Sequence, residues 1–177
     1  MNVQDKYKNL SIDQIKNSIL SNTNPFSVLS CFVSMDINIG ALLRTAHFFG
    51  CKRYYYLSNR KKWNRKTSVG TYKYTEVIHL KDPKDALTIP DKLIGIECNK
   101  NLTTQTIYNY SFQKNSCFVF GSESDGIPEE ILEYCYEFLT IPNFGATRSL
   151  NVSVSAGIVM SEFVKGMKNE LYKRNTR

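Results

Sequence analysis

Short apolar runs rich in β-forming residues recur along the chain, separated by stretches with helical spacing. The runs are SVLSCFVS (27–34), YYYL (54–57), EVIHL (76–80), LIGIEC (93–98), CFVFG (117–121) and FLTIP (138–142). Most are apolar without alternation, as strands must be when both faces of their sheet are covered. Between them, SIDQIKNSIL (11–20) sets Ser11 and Gln14 at capping-box spacing, with Ile12, Ile15 and Ile19 repeating at helical intervals. NIGALLRTAHFFG (38–50) is periodic and stops at Gly50, and PEEILEYC (128–135) opens on Pro128, a residue favoured at a helix start. DPKDALTIPDK reads as a short helix or loop, and a closing helix is expected from Leu150 to about Tyr172. The alternation predicts an α/β fold, a mainly parallel sheet with helices on both faces.

At 177 residues, 42% hydrophobic and 22% charged, the chain fits one domain with a real core and excludes general disorder. No apolar run reaches the length of a membrane span, and MNVQDKYKNLSIDQ lacks a signal-peptide pattern. The expected location is cytoplasmic. Cys31, Cys51, Cys98, Cys117 and Cys135 are odd in number and far apart, with no CxxC pair and only two histidines, His47 and His79. That pattern argues against a zinc site or a disulfide framework, so no metal is expected and the thiols read as buried and reduced. His47 and His79 read as packing residues.

The net charge of +7 points to a polyanion, and its distribution is informative. Residues 51–75 hold Lys52, Arg53, Arg60, Lys61, Lys62, Arg65, Lys66 and Lys73 with no acid, interleaved with Tyr54, Tyr55, Tyr56, Trp63, Tyr72 and Tyr74. Cations bind phosphate, and aromatic rings stack on unpaired bases. The tyrosines of RYYYL read partly as core of a strand. RNA contact is therefore expected from NRKKWNRK, through Arg60, Lys61, Lys62, Trp63, Arg65 and Lys66.

Familiar α/β chemistries fail on the residues. SMDINIGALLR follows the first strand with one glycine, so there is no GxGxxG; no GxxxxGK[ST] occurs; GSESDG has Glu123 where a nucleophile elbow needs serine. Three segments remain: NIGALLR with Asn38 and Arg44, FVFGSESDGIP with Gly121 and Glu123, and IPNFGATRSLNVSVSAG. Each puts polar or small residues just beyond a strand end, where parallel sheets build ligand sites.

In this order the three segments resemble the SPOUT methyltransferases, and within them the SpoU/TrmH branch of RNA 2′-O-ribose methyltransferases. The likeness covers roughly residues 27–166, and its IP…SLNVSVS element is the most specific part. The resemblance implies a C-terminal trefoil knot over roughly residues 117–166, a fold feature that periodicity does not reveal. It implies S-adenosylmethionine as cofactor, bound by Gly121, Ile141 and Leu150, with Ile96 and Glu97 as an adjoining wall. It implies a catalytic set of Arg44, Asn38, Glu123, Ser149 and Asn151, acting on structured RNA, tRNA first and rRNA second; the rival reading is a catalytically idle RNA-binding protein that keeps the fold. Arg44 would hold a phosphate and stabilise charge on the 2′-oxygen, since a guanidinium keeps its proton and is a poor base. Glu123 would position backbone or Asn38. Taken singly, Asn38 and Ser149 also fit helix N-caps, Arg44 a surface cation and Glu123 a turn residue. Homodimerisation with the site completed by the second chain is implied as well. The expected organisation is an N-terminal helical extension (1–26), the methyltransferase domain (27–172) and a frayed tail (173–177), with RNA recognised by the core and the basic loop.

Overall fold

The computed structural model describes residues 3–60, 62–97 and 102–167. Its elements are α1 (Ile12–Leu20), β1 (Phe26–Cys31), α2 (Asp36–Phe48), β2 (Arg53–Leu57), β3 (Glu76–Leu80), β4 (Lys92–Ile96), β5 (Thr104–Thr106), β6 (Ser116–Phe120), α3 (Glu129–Tyr134), β7 (Glu137–Thr140) and α4 (Val152–Gly166), joined by short 3₁₀ turns. Among the described residues the strands make one seven-stranded sheet, ordered β3-β2-β1-β6-β4-β7-β5, and every pairing is parallel.

The continuous apolar runs are explained by the split of side chains between two faces. Val28, Tyr54, Phe118 and Phe120 face one core, which α2 and α4 fill with Leu42, Leu43, Ala46, Ala156, Val159, Met160 and Phe163. Leu29, Tyr55, Cys117 and Val119, one residue out of phase, face the other, closed by Ala86, Ile89 and Ile131. Both faces of the central strands are thereby dry. The tyrosines of RYYYL are buried in these cores.

Most boundaries follow local chemistry. Ser11 and Gln14 form the capping box, and Gly50 takes the left-handed conformation (φ +74°) after α2. DPKDALTIPDK contains a 3₁₀ turn over Pro83–Thr88 capped by Asp82. Three features differ from the sequence expectation. Helix α2 starts at Asp36, so Asn38 lies inside its first turn rather than capping it. Helix α4 starts at Val152 with Asn151 as N-cap, so neither Leu150 nor Ser149 begins it. Strand β5 is additional; Thr-Gln-Thr at a sheet edge has no apolar run to betray it. The stretch of the closing helix past Met167 and the 173–177 tail lie outside the described residues, as does Cys98. The other four cysteines are free, and burial raises their thiol pKa values.

Phe163 ties α4 to the sheet. Its ring lies 5.0 Å from that of Phe26, 5.6 Å from Phe118 and 5.8 Å from Phe112. Phe163→Ala is expected to destabilise the fold by about 3–5 kcal/mol, read as a lower denaturant midpoint. A loss within 1 kcal/mol would show that α4 is not held by this cluster.

Candidate active site

A cleft of about 1030 Å³ opens beyond the carboxyl ends of β4, β6 and β7, at the entrance of α4. That is where a parallel sheet leaves a crevice. Ile96 and Glu97 line it from the end of β4, Gly121 and Glu123 from the loop after β6, Ile141 from the loop after β7, and Ser149, Leu150 and Asn151 from the approach to α4.

Gly121 is required by backbone crowding. A Cβ there would lie 1.9 Å from the carbonyl carbon of Gly126 and 2.2 Å from the Ile127 nitrogen. The loop 121–127 folds back on itself through paired hydrogen bonds between Ser122 and Gly126. Glu97 supports it from below, its Oε2 accepting from the Ile127 N–H at 3.3 Å. Glu97 therefore serves the loop as well as lining the cleft.

The tip of this loop carries Glu123, whose two oxygens take three donors. Asn38 Nδ2 donates to Oε1 at 2.6 Å; the Ser34 N–H and hydroxyl donate to Oε2 at 3.1 and 2.9 Å. Asn38 turns its Oδ1 to Asn151, which donates from Nδ2 at 3.0 Å. Asn151 in turn caps α4, its Oδ1 accepting from the Ser153 N–H at 2.9 Å and the Ser153 hydroxyl at 2.6 Å. Each amide's orientation is set by the next donor in line, with an ionised carboxylate as the terminal acceptor. Burial pushes the Glu123 pKa up, but the hydrogen bonds from Asn38, Ser34 and its own backbone N–H outweigh it, and the carboxyl is held below its usual range. A carboxylate so engaged fastens three segments together and is a poor proton acceptor.

Arg44 is not in this cleft. Six residues of helix turn through about 600°, which leaves Arg44 about 120° around α2 from Asn38. It is exposed, without a hydrogen bond or ion pair among the described residues, beside a shallow recess of about 600 Å³ lined by Ile37, Ala41, Thr45, Phe48 and Thr67. Ser149 lines the main cleft, its hydroxyl unbonded among the described residues. The structure thus gathers Asn38, Glu123 and Asn151 into one network, places Ser149, Leu150, Ile141, Gly121, Ile96 and Glu97 around the cleft, and leaves Arg44 on another face.

The basic loop departs from expectation at two positions. Trp63 is 7% exposed and packs in the core, so its ring is covered and offers no face to a base. Arg60 is engaged by the start of α2: Nη1 pairs with Asp36 Oδ1 at 2.8 Å and Nη2 donates to the Val33 carbonyl at 3.0 Å. Asp36 also accepts from the Asn64 N–H at 2.8 Å, so it fixes the loop at both ends. Lys62, Arg65 and Lys66 stay exposed, Arg65 over the Tyr72 ring at 5.3 Å; Lys61 lies outside the described residues. Both histidines are structural. His47 bonds Thr75 at 2.9 Å, with burial lowering its pKa, and His79 stacks on Tyr56 with centroids 4.5 Å apart.

Sequence reasoning missed Ser34, Ser153 and Asp36. Ser34 and Asp36 act on partners distant in the chain, Glu123 and Arg60, which no local pattern announces, whereas Ser153 joins the local cap of α4. Among the described residues no group of His, Cys, Asp and Glu could hold a metal, and no helix is long and apolar enough to cross a membrane.

Residues 25–161 match the SpoU rRNA Methylase family. The tRNA (guanosine(18)-2′-O)-methyltransferase of Aquifex aeolicus is 27% identical over 136 residues, covering 73% of this chain and 64% of that one. The Escherichia coli 23S rRNA (guanosine-2′-O-)-methyltransferase RlmB is 26% identical over 152 residues, covering 83% and 63%. A 56-residue match to the Neisseria meningitidis RlmB is 41% identical and covers 32% and 22%. The chain thus spans less than two thirds of each of these relatives. In solved structures, the A. aeolicus TrmH/SpoU tRNA modifying enzyme superposes with a TM-score of 0.80 at 22% identity, covering 92% of this chain and 85% of that one. AviRb of Streptomyces viridochromogenes, in complex with the cofactor AdoMet, gives 0.73 at 18% identity, covering 90% and 65%. At these identities the superpositions establish the fold.

The Glu123 network generates a pH prediction. Its folded pKa lies below the unfolded value of about 4.3, so its contribution is complete above that value and is lost as pH falls through the lowered folded pKa. Glu123→Gln keeps the shape but offers one acceptor oxygen. The melting-temperature gap between wild type and Glu123→Gln is expected to be widest near neutral pH and to close below about pH 4. A gap independent of pH would contradict the ionised network.

Proposed function

The chain belongs to the SpoU rRNA Methylase family, and from that premise we propose that it transfers a methyl group from S-adenosylmethionine to a ribose 2′-hydroxyl of structured RNA. The observation that carries this reading is the convergence of all three sequence motifs on one place. Asn38, Glu123 and Asn151 come from segments far apart in the chain and join by hydrogen bonds at the rim of a ligand-sized cleft. The substrate read first is tRNA, in line with the A. aeolicus relative; the likeness to RlmB over 83% of the chain favours 23S rRNA as the second reading. Such an enzyme works in the cytoplasm.

The cleft fits the cofactor. Gly121 lets the loop 121–127 fold tightly at the cleft's edge, and Ile141 and the half-exposed Leu150 offer apolar walls to a flat heterocycle, with Ile96 and Glu97 beside them. When bound there, S-adenosylmethionine supplies an electrophilic methyl group. The protein's task is to align a poorly nucleophilic hydroxyl and ease loss of its proton. Ser149 stands where it can hold the ribose, Asn151 holds the entrance of α4 to Asn38, and Glu123 keeps Asn38 in place. Arg44 is the cation suited to an adjacent phosphate and to charge growing on the 2′-oxygen.

We read the position of Arg44 as the mark of a homodimer. Ile37 and Phe48 flank it, 59% and 81% exposed, and Val154 of the neighbouring α4 is 49% exposed. Covering that apolar surface with a second copy would bring each Arg44 to the partner's cleft. We likewise read residues 117–166 as the trefoil knot, supported by β6 lying between β1 and β4 while α4 packs beside α2. Residues 1–26 are read as an extension of the 27–172 methyltransferase domain.

Arg44→Ala is expected to lower RNA methyl transfer by about 10²–10³-fold while calorimetry finds cofactor affinity unchanged. Mixing it with the equally inactive Asn38→Ala should restore part of the activity, because each mixed dimer holds one site with both residues intact. No recovery on mixing would place Arg44 in its own chain's site. Neutralising Lys62, Arg65 and Lys66 together should weaken RNA binding and flatten the plot of log K against log salt by roughly two to three units. An unchanged slope would remove the loop from the RNA interface.

A further inference from the structure

One aromatic side chain at the lip of the cleft has no part in the chemistry above. Phe144 is 94% exposed, more than any other large apolar side chain among the described residues. It lines the cleft together with Ile141 and Leu150, on the loop between β7 and α4. Its exposure does not come from a loose loop. Asn143 Oδ1 accepts from the Gly145 N–H at 2.8 Å, and Asn143 Nδ2 donates to the Thr147 carbonyl. One side chain thus bridges the turn at both ends and holds Phe144 toward solvent.

A phenyl ring fixed in water forgoes its burial energy until something covers it. The charge of the whole chain favours an RNA base as the cover. The chain carries a charge of +7, with Lys62, Arg65 and Lys66 exposed, which attracts a polyanion. A ribose can reach the floor of a cleft only if its nucleotide leaves the helical stack, and the unstacked base then needs a new face. A phenyl group has no hydrogen-bonding atoms, so it offers that face to any base.

We infer that Phe144 is the stacking platform for the unpaired base of the nucleotide whose ribose enters the cleft. This rests on the reading of the protein as an RNA 2′-O-methyltransferase. Phe144 therefore governs RNA affinity and leaves cofactor affinity alone.

The protein offers a clean reporter. Its single tryptophan, Trp63, is buried, so an indole introduced by Phe144→Trp supplies the exposed emission. Phe144→Trp and wild type are titrated with unmodified tRNA and 23S rRNA, and separately with S-adenosylhomocysteine, while filter binding records RNA affinity. The expected result is quenching of the introduced indole by RNA, little change with S-adenosylhomocysteine, and wild-type emission unaltered. Phe144→Ala should bind RNA about tenfold more weakly, with Phe144→Tyr restoring affinity and S-adenosylhomocysteine binding equal in all variants. Quenching by S-adenosylhomocysteine alone would overturn the inference in favour of a cover over the cofactor. A blue shift that grows with protein concentration before RNA is added would overturn it in favour of a contact between two copies. RNA binding without quenching would overturn it and leave the methyltransferase reading standing. Failure of wild type to bind either RNA would remove that reading and this inference together.

Discussion

The Glu123 carboxylate is the fastening on which the rest of the site depends. It is the one acceptor that gathers the loop after β1, the first turn of α2 and the loop after β6, and through Asn38 it reaches the cap of α4. Three donors outweigh the cost of partly desolvating it, so the ionised form is the stable one. Removing the acceptor would leave Asn38, which is buried, with an unpaired amide, a costly arrangement in a low-dielectric place. The residues that define the motifs are in this sense structural first. They hold the edge of a cleft whose floor lies at the strand ends.

The parallel sheet supplies that floor. Strands β4, β6 and β7 all end at the same edge, so their following loops must share one crevice. Gly121 makes the sharing possible, because the chain at Gly126 and Ile127 passes too near for any side chain. The opening of α4 is polar for a related reason. Asn151 and Ser153 are spent on the cap and on the link to Asn38, and Ser149 faces the cleft.

Much of the architecture was legible in residue order. The strands declared themselves because central parallel strands are apolar on both faces, and Ser11 with Gln14 and Gly50 marked helix ends by local chemistry. What was not legible depended on tertiary contact. Trp63 among cations reads the same whether its ring is bare or buried; only the fold buried it. Arg60 looked like a free phosphate ligand until Asp36, distant in sequence, was found beside it. Arg44 and Asn38 belong to one motif, yet helix geometry turns them apart. Thr104–Thr106 forms a strand by backbone pairing at an edge, with no apolar signal of its own.

The central claim is methyl transfer to a ribose oxygen. The most direct test is to incubate the protein with S-adenosylmethionine and unmodified tRNA or 23S rRNA, digest the RNA, and analyse the nucleosides by mass spectrometry. The account predicts a nucleoside carrying its added methyl group on the sugar. A methyl group on the base, or no methylated nucleoside from an RNA that the protein binds, would contradict it.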